Sequence, residues 1–203
     1  MRQDLLKAAI LCVCGGLGFP ATVQASESLS DAILNSRPIF NVRYRYEGVD
    51  QDGFTEYARA STLRTRVGFE TQRYKGFNVL FDIENISTIG NELYNDTVNN
   101  RGQFPVVADP NITELNQAYL NFDGLYDTAI RLGRQRINLD NQRFVGAVGF
   151  RQNEQTFDAI RLTNKSINDT SLQYIYVDNV NRIFGDDSRV GDFKSNSHLV
   201  NIK

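Results

Sequence analysis

The chain has 203 residues, a formal net charge of −2, no tryptophan and one methionine. Its mean hydropathy is −0.38, and its mature part has no stretch near the ~20 apolar residues that a membrane-spanning helix needs. A slightly negative chain without a basic stripe on a helix is also a poor candidate for nucleic-acid binding.

The first 25 residues read as a secretory signal. Arg2 and Lys7 give a basic start, Ala8 to Phe19 is an apolar run, Pro20 ends it, and Val23-Gln24-Ala25 offers small residues for cleavage after Ala25. That run is too short to span a membrane. Both cysteines, Cys12 and Cys14, fall inside it. The mature chain therefore has no disulfide framework and no thiolate chemistry.

Residues 26–38 form a periplasmic lead-in, and strands follow. Ile39 to Glu47 sets Phe40, Val42, Tyr44 and Tyr46 on one face against Asn41, Arg43, Arg45 and Glu47 on the other. This period-2 alternation argues strand rather than helix. Arg59 to Thr71 sets Leu63, Thr65, Val67 and Phe69 against Arg64, Arg66, Gly68 and Glu70. Phe77 to Asn85 sets Phe77, Val79, Phe81 and Ile83 against Asn78, Leu80, Asp82 and Glu84. Pairing Thr71 with Phe77 would bring Arg66 to Asp82 and Arg64 to Glu84, with apolar residues matched on the other face. Glu114 to Phe122 points Ala118, Leu120 and Phe122 outward. Thr128 to Ile137 points Ile130 and Leu132 outward and Arg131 inward. Arg134 and Arg136 fall on its outward parity, which puts them at a rim or at a bulge. Gln155 to Asn164 changes phase at Ala159-Ile160, Thr170 to Val177 is tyrosine-rich with either face as the outer one, and His198 to Lys203 begins an eighth strand.

The joins between these strands alternate. Gly48–Ala58, Ser87–Thr113, Asn138–Glu154 and Asp178–Ser197 are long; Gln72–Gly76, Asp123–Asp127 and Lys165–Asp169 are short. Outer-membrane β-barrels have this rhythm, with tight periplasmic turns and large external loops. The expected fold is all-β: an antiparallel transmembrane β-barrel over residues 39–203, present as an N-terminal fragment of about eight strands that ends within a strand.

The basic residues are lopsided, with 17 arginines against 5 lysines, and arginine grips carboxylates and phosphates with a planar fork. Arg43, Arg45, Arg64 and Arg66 cluster on the inward face, with Arg43 able to lie opposite Arg64 or Arg66. Asp82 and Glu84 supply an acidic row on the next strand. Such a wall is either a structural ladder of ion pairs or a selectivity element of a polar passage. Arg131, Arg134 and Arg136 add to the positive side, as would Arg143 and Arg151 if their loop folds inward.

Several stretches carry a resemblance: Val106-Val107-Ala108-Asp109-Pro110, Thr113 to Leu120, Leu132 to Ile137 running into Leu139 to Gly146, Arg151 to Asp158, and Tyr176 to Asp186. From about Arg37 onward the chain resembles the N-terminal half of the alginate-export-domain family of outer-membrane porins. The resemblance implies a large barrel through which an anionic polysaccharide such as alginate leaves the cell, with an arginine-rich constriction that attracts uronate carboxylates. The expected setting is outer-membrane lipid, with an anionic polysaccharide or small solute as cargo and periplasmic export partners.

Other classes find little support. His198 is the only histidine and has no triad arrangement beside it. There is no glycine-rich phosphate loop and no metal-ligand spacing, so no enzyme activity and no cofactor are expected. The acidic loop Asp178–Ser197 does not match a defined calcium loop. A general porin for small solutes, and a secreted soluble β-sandwich or adhesin, remain as alternatives, since alternation alone permits both.

Overall fold

The computed structural model describes residues 7–16, as backbone, and residues 26–203. Among them the fold is one antiparallel sheet whose nine strands pair strictly with their chain neighbours. The strands are β1 (Lys7–Gly16), β2 (Arg37–Asp50), β3 (Ala58–Glu70), β4 (Phe77–Thr88), β5 (Ile112–Leu125), β6 (Thr128–Gln135), β7 (Thr156–Asn164), β8 (Leu172–Asn181) and β9 (Asp192–Ile202). A single helix, α1 (Leu29–Leu34), precedes β2 and is capped by Ser28. The sheet does not close on itself: β1 and β9 each pair on one side only. The eight strands expected from the sequence are β2 to β9; connections 89–111 and 136–155 are long and 126–127 is short as expected, but the β2–β3 connection shrinks to residues 51–57, no longer than residues 165–171 between β7 and β8.

β1 was not expected as a strand. It lies along β2 from Lys7↔Asp50 to Gly16↔Asn41, inside the segment read as a signal. The Pro20 terminator and the cleavage point after Ala25 lie outside the described residues. The lead-in also holds more order than expected. Ser26 bonds Arg73 and Gln72, and the Gln72 N–H donates to Ala32, so α1 docks on the β3–β4 turn.

The side-chain distribution is inverted relative to a water-soluble protein. Outward residues such as Phe40, Val67 and Leu132 are more than half exposed, whereas Arg45, Glu84, Gln135 and Gln152 are fully buried. A broad exposed apolar band around a polar interior is the signature of a lipid-facing barrel wall. It argues against a secreted sandwich, whose apolar faces turn inward.

The β3–β4 register differs from the sequence reading by two residues. Arg66 lies opposite Glu84, Val67 opposite Ile83 and Phe69 opposite Phe81. The cause is the turn. Lys75 and Gly76, at φ 50° and 84°, form a two-residue connection between the bridged pair Tyr74 and Phe77. Positive φ at both central residues suits the twist of a hairpin. One extra residue on the β3 side then shifts the ladder. The shift is even, so each residue keeps its face while every partner changes.

Two further boundaries move. β9 starts at Asp192, not His198, because β8 continues to Asn181 across a bulge at Val177/Asn179. The last long connection thus shrinks to residues 182–191. β6 stops at Gln135, which frees Arg136 from strand parity.

Two long loops fold over the sheet. Residues 89–111 cap the loop end of β2 and β3, where Tyr94, Phe104 and Val107 pack on Val49, Ala58 and Ala60. Residues 136–155 cross the inner face. Ile137 is packed with Phe157, Ala159, Ile175 and Val177, and Leu139 and Val145 lean on that cluster. This settles the face of β8: Ile175 and Val177 point inward, and Tyr174 outward. Further along the loop, Asp140 reaches Asn201 and Lys203 at the end of β9.

Candidate functional site

The inward arginines converge where the second loop meets β2 and β3. Arg43 and Arg64 are directly opposite across the strand pair, a like-charge juxtaposition that is destabilising by itself. Loop 136–155 offsets it. Arg43 donates through Nε to Gln152 Oε1 at 2.7 Å, through Nη1 to the Gly149 carbonyl at 3.0 Å, and through Nη2 to the Arg151 carbonyl. Arg64 donates to Asn41 Oδ1 at 2.7 Å and to the Gln152 carbonyl at 3.3 Å. Neutral oxygens thus meet these two guanidinium groups, although the buried Arg64 Nε has no acceptor among the described residues.

Their neighbours are matched by carboxylates instead. Arg66 binds Glu84 at 2.6 Å and Glu154 at 2.9 Å, and Glu154 also takes Arg136. Arg45 binds Glu47 at 2.6 Å and Asp109 at 3.0 Å, with its guanidinium over the Phe150 ring. Asp109 is the joint between the loops: it accepts from Arg45 and from the Gln152 backbone N–H at 2.9 Å. Burial by itself would raise the pKa of the Glu154 carboxyl, but Arg66 and Arg136 outweigh it and hold it below the ordinary glutamate value. In Tyr94, which donates to the Asp109 carbonyl, burial raises the pKa of the phenol well above its usual value.

The expected ion pairs are therefore rearranged. Asp82 does not meet Arg66, and Glu84 does not meet Arg64. Asp82 accepts from the Gln117 backbone and from Asn116 Nδ2, because a bulge opposite Asp82/Ile83 turns both residues inward. Asn116 also donates to Glu154 at 3.2 Å.

A cavity of about 740 Å³ opens beside this network. Of the nine residues singled out from the sequence, Arg43, Arg64, Arg66, Asp82, Arg131 and Arg136 line it. Arg45 and Glu84 are buried behind the lining. Arg134 lies away from it, held by both oxygens of Asp158 on β7 and by the Leu115 carbonyl. Arg136 lies one residue past the end of β6 and turns inward onto Glu154. Arg151 folds inward onto Glu47 at 3.0 Å, while Arg143 is exposed. Arg37, Glu70 and Glu154 complete the charged lining, which totals six arginines and three carboxylates.

Sequence reasoning missed Gln152, Asp109 and Glu154 as the residues that hold the arginines. Their signal was the dense polar run Arg151-Gln152-Asn153-Glu154 in a join too long for a simple turn. Among the described residues no group of three or more metal-ligating side chains converges.

An alginate export family model matches residues 40–177, which covers the arginine wall and both inward loops. The chain belongs to the alginate export family. This is a transport family and not an enzyme family, and its members are associated with outer-membrane export channels. No curated protein and no solved structure matches the chain.

Proposed function

We propose that this alginate-export-family chain forms part of an outer-membrane channel for anionic polysaccharide or acidic sugars, and that its wall arginines select the solute. One observation carries the reading: six arginines against three carboxylates around a single cavity on the inner face. Charged linings of one sign set selectivity in pores, and guanidinium forks match carboxylates in geometry as well as in charge. Residues 1–25 serve as the signal that brings the chain to the periplasm, where export partners deliver the cargo.

The test is the reversal potential of the full-length protein in planar bilayers under a potassium chloride gradient. Anion preference is expected, and it should fall when Arg43, Arg64 and Arg66 are replaced together by glutamine. Cation preference in the parent, or unchanged preference in the triple variant, would refute the selectivity role.

A further inference from the structure

Helix α1 is fixed at the short-turn end of the wall, yet its apolar side is not packed. Its anchors are hydrogen bonds. The Gln72 N–H donates to the Ala32 carbonyl, the Ser26 N–H to the Arg73 carbonyl, and Ser26 Oγ to Gln72 Oε1 at 2.7 Å. Leu29, Ala32 and Ile33 share one side of the helix, and Leu29 and Ile33 remain more than half exposed. So short a helix does not hold in water by itself, and an apolar helical stripe needs cover.

That side of α1 walls a groove of about 320 Å³, whose floor is the outward face of β3 and β4 at Phe69, Thr71, Phe77 and Val79. A second apolar groove of about 420 Å³ continues from Phe69 past Val67, Thr65, Phe81 and Ile83. Because both contain Phe69, they form one track up the lipid-facing band. From Thr71 to Thr65 the strand advances about 20 Å, at ~3.3 Å per residue. At the ~40° tilt of barrel strands this is about 15 Å across the membrane, or half of the ~30 Å hydrocarbon core. The track is as deep as one leaflet.

Its head is polar and positive. Tyr74 lines the groove, and Lys75 Nζ lies 5.3 Å from the centre of the Tyr74 ring. Arg73 is matched by Asp123 at 2.6 Å, but Lys75 enters no ion pair among the described residues. Asp31 of α1 lies on the far side of the helix, where Ser28 engages it. Phe77 stacks on Phe122 at 4.4 Å beside Tyr74, and aromatic residues gather in this way where a barrel meets the membrane surface.

We infer that α1 and the β3–β4 turn form a phospholipid-binding site at the periplasmic rim. Lys75 takes the phosphate, and one acyl chain lies against Leu29, Ile33 and Phe69. α1 is then an interfacial helix, with its apolar side in the acyl boundary. A periplasmic protein could reach α1 but not the far half of the track, which lies within the membrane. This site depends on the membrane setting and not on the solute that the channel passes.

The test titrates the detergent-solubilised full-length protein with palmitoyl-oleoyl-phosphatidylglycerol and counts retained lipid by native mass spectrometry. One phospholipid per chain should persist at energies that strip the others. Lys75→Glu should weaken its retention at least about fivefold, and Lys75→Arg should keep it. Ile33→Asn should weaken it as well. Lys165→Glu, at a short turn with no helix beside it, should change nothing. Equal loss in Lys75→Glu and Lys165→Glu would overturn the inference, since the attraction would then be general. Parental retention in both Lys75→Glu and Ile33→Asn would also overturn it. A mass of two copies that Ile33→Asn reduces to one would assign the face to self-association instead. Should Ile33→Asn lose its heat-shifted band, the comparison of Lys75→Glu with Lys165→Glu decides. A parent without a heat-shifted band would sink the barrel setting itself, a different failure from a folded barrel that retains no lipid.

Discussion

Gln152 is the peg that fixes loop 136–155 on the wall, and Gln152→Leu removes it at nearly constant volume. The Gln152 side chain accepts from Arg43 at 2.7 Å and donates toward the Thr62 carbonyl and hydroxyl at 3.1 and 3.0 Å. A hydrogen bond to a charged group contributes about 1.5–3 kcal/mol and a neutral one about 1 kcal/mol. Two amide hydrogens allow two neutral bonds, so the sum is about 4 kcal/mol. Water reaching Arg43 as the loop lifts offsets part of this, leaving about 3 kcal/mol. That is roughly a hundredfold shift toward the lifted loop. The apolar half of the loop, around Ile137 and Val145, keeps its own packing, so the barrel should still fold. Two assays read the outcome: single-channel conductance, expected to rise, and tryptic cleavage at Arg143 or Arg151, expected to accelerate. Parental conductance and parental cleavage in a variant that keeps its heat-shifted band would refute the anchoring role.

Three other perturbations bear on the wall itself. The lowered pKa of Glu154 contributes stability that is present above the ordinary glutamate value, about 4.3, and is lost as pH falls through the lower folded value; melting of Glu154→Gln should therefore depend less on pH than that of the parent in this acid range. Gly133 has φ 121°, and an added Cβ would sit 2.3 Å from the Ala118 carbonyl oxygen, so Gly133→Ala should cost at least about 2 kcal/mol in urea unfolding, and an unchanged midpoint would contradict the β5–β6 geometry. Val67→Arg places a charge on the lipid face and should cost about 2–4 kcal/mol if the residue lies near the bilayer midplane, measured by folding yield into vesicles; parental yield would argue against the assigned face.

The strands were legible because alternation records which side of a wall each residue faces. β2, β3 and β4 carry clean apolar-out, polar-in patterns, and those assignments hold. What alternation does not record is register in steps of two, since an even slip leaves both faces intact. The Arg66–Glu84 pairing was misplaced for that reason, and only the Lys75-Gly76 turn decides it. The site was half legible. Wall arginines advertise themselves by parity, and the Arg43–Arg64 juxtaposition was within reach. Their partners did not, because Gln152, Asp109 and Glu154 sit in loops without period. Contacts such as Arg43 to Gln152 span more than a hundred residues. Arg136 was misread for a related reason: parity was carried past Gln135, where the strand had already ended.

The two ways in which the wall satisfies its arginines have different electrostatic results. A carboxylate beside a guanidinium supplies hydrogen-bond acceptors and cancels the charge, as Glu84 and Glu154 do for Arg66. A carbonyl or amide supplies acceptors alone. Arg43 and Arg64 receive hydrogen bonds of the second kind from the loop, contacts that bring no charge of their own. Both line the cavity, where the low-dielectric wall strengthens any interaction with an ion relative to bulk water. Replacing the loop's contribution with an acidic side chain would hold the same guanidinium groups equally well and remove the excess. The loop therefore bonds Arg43 and Arg64 through oxygens that bring no charge of their own, an arrangement that the proposed anion passage would require.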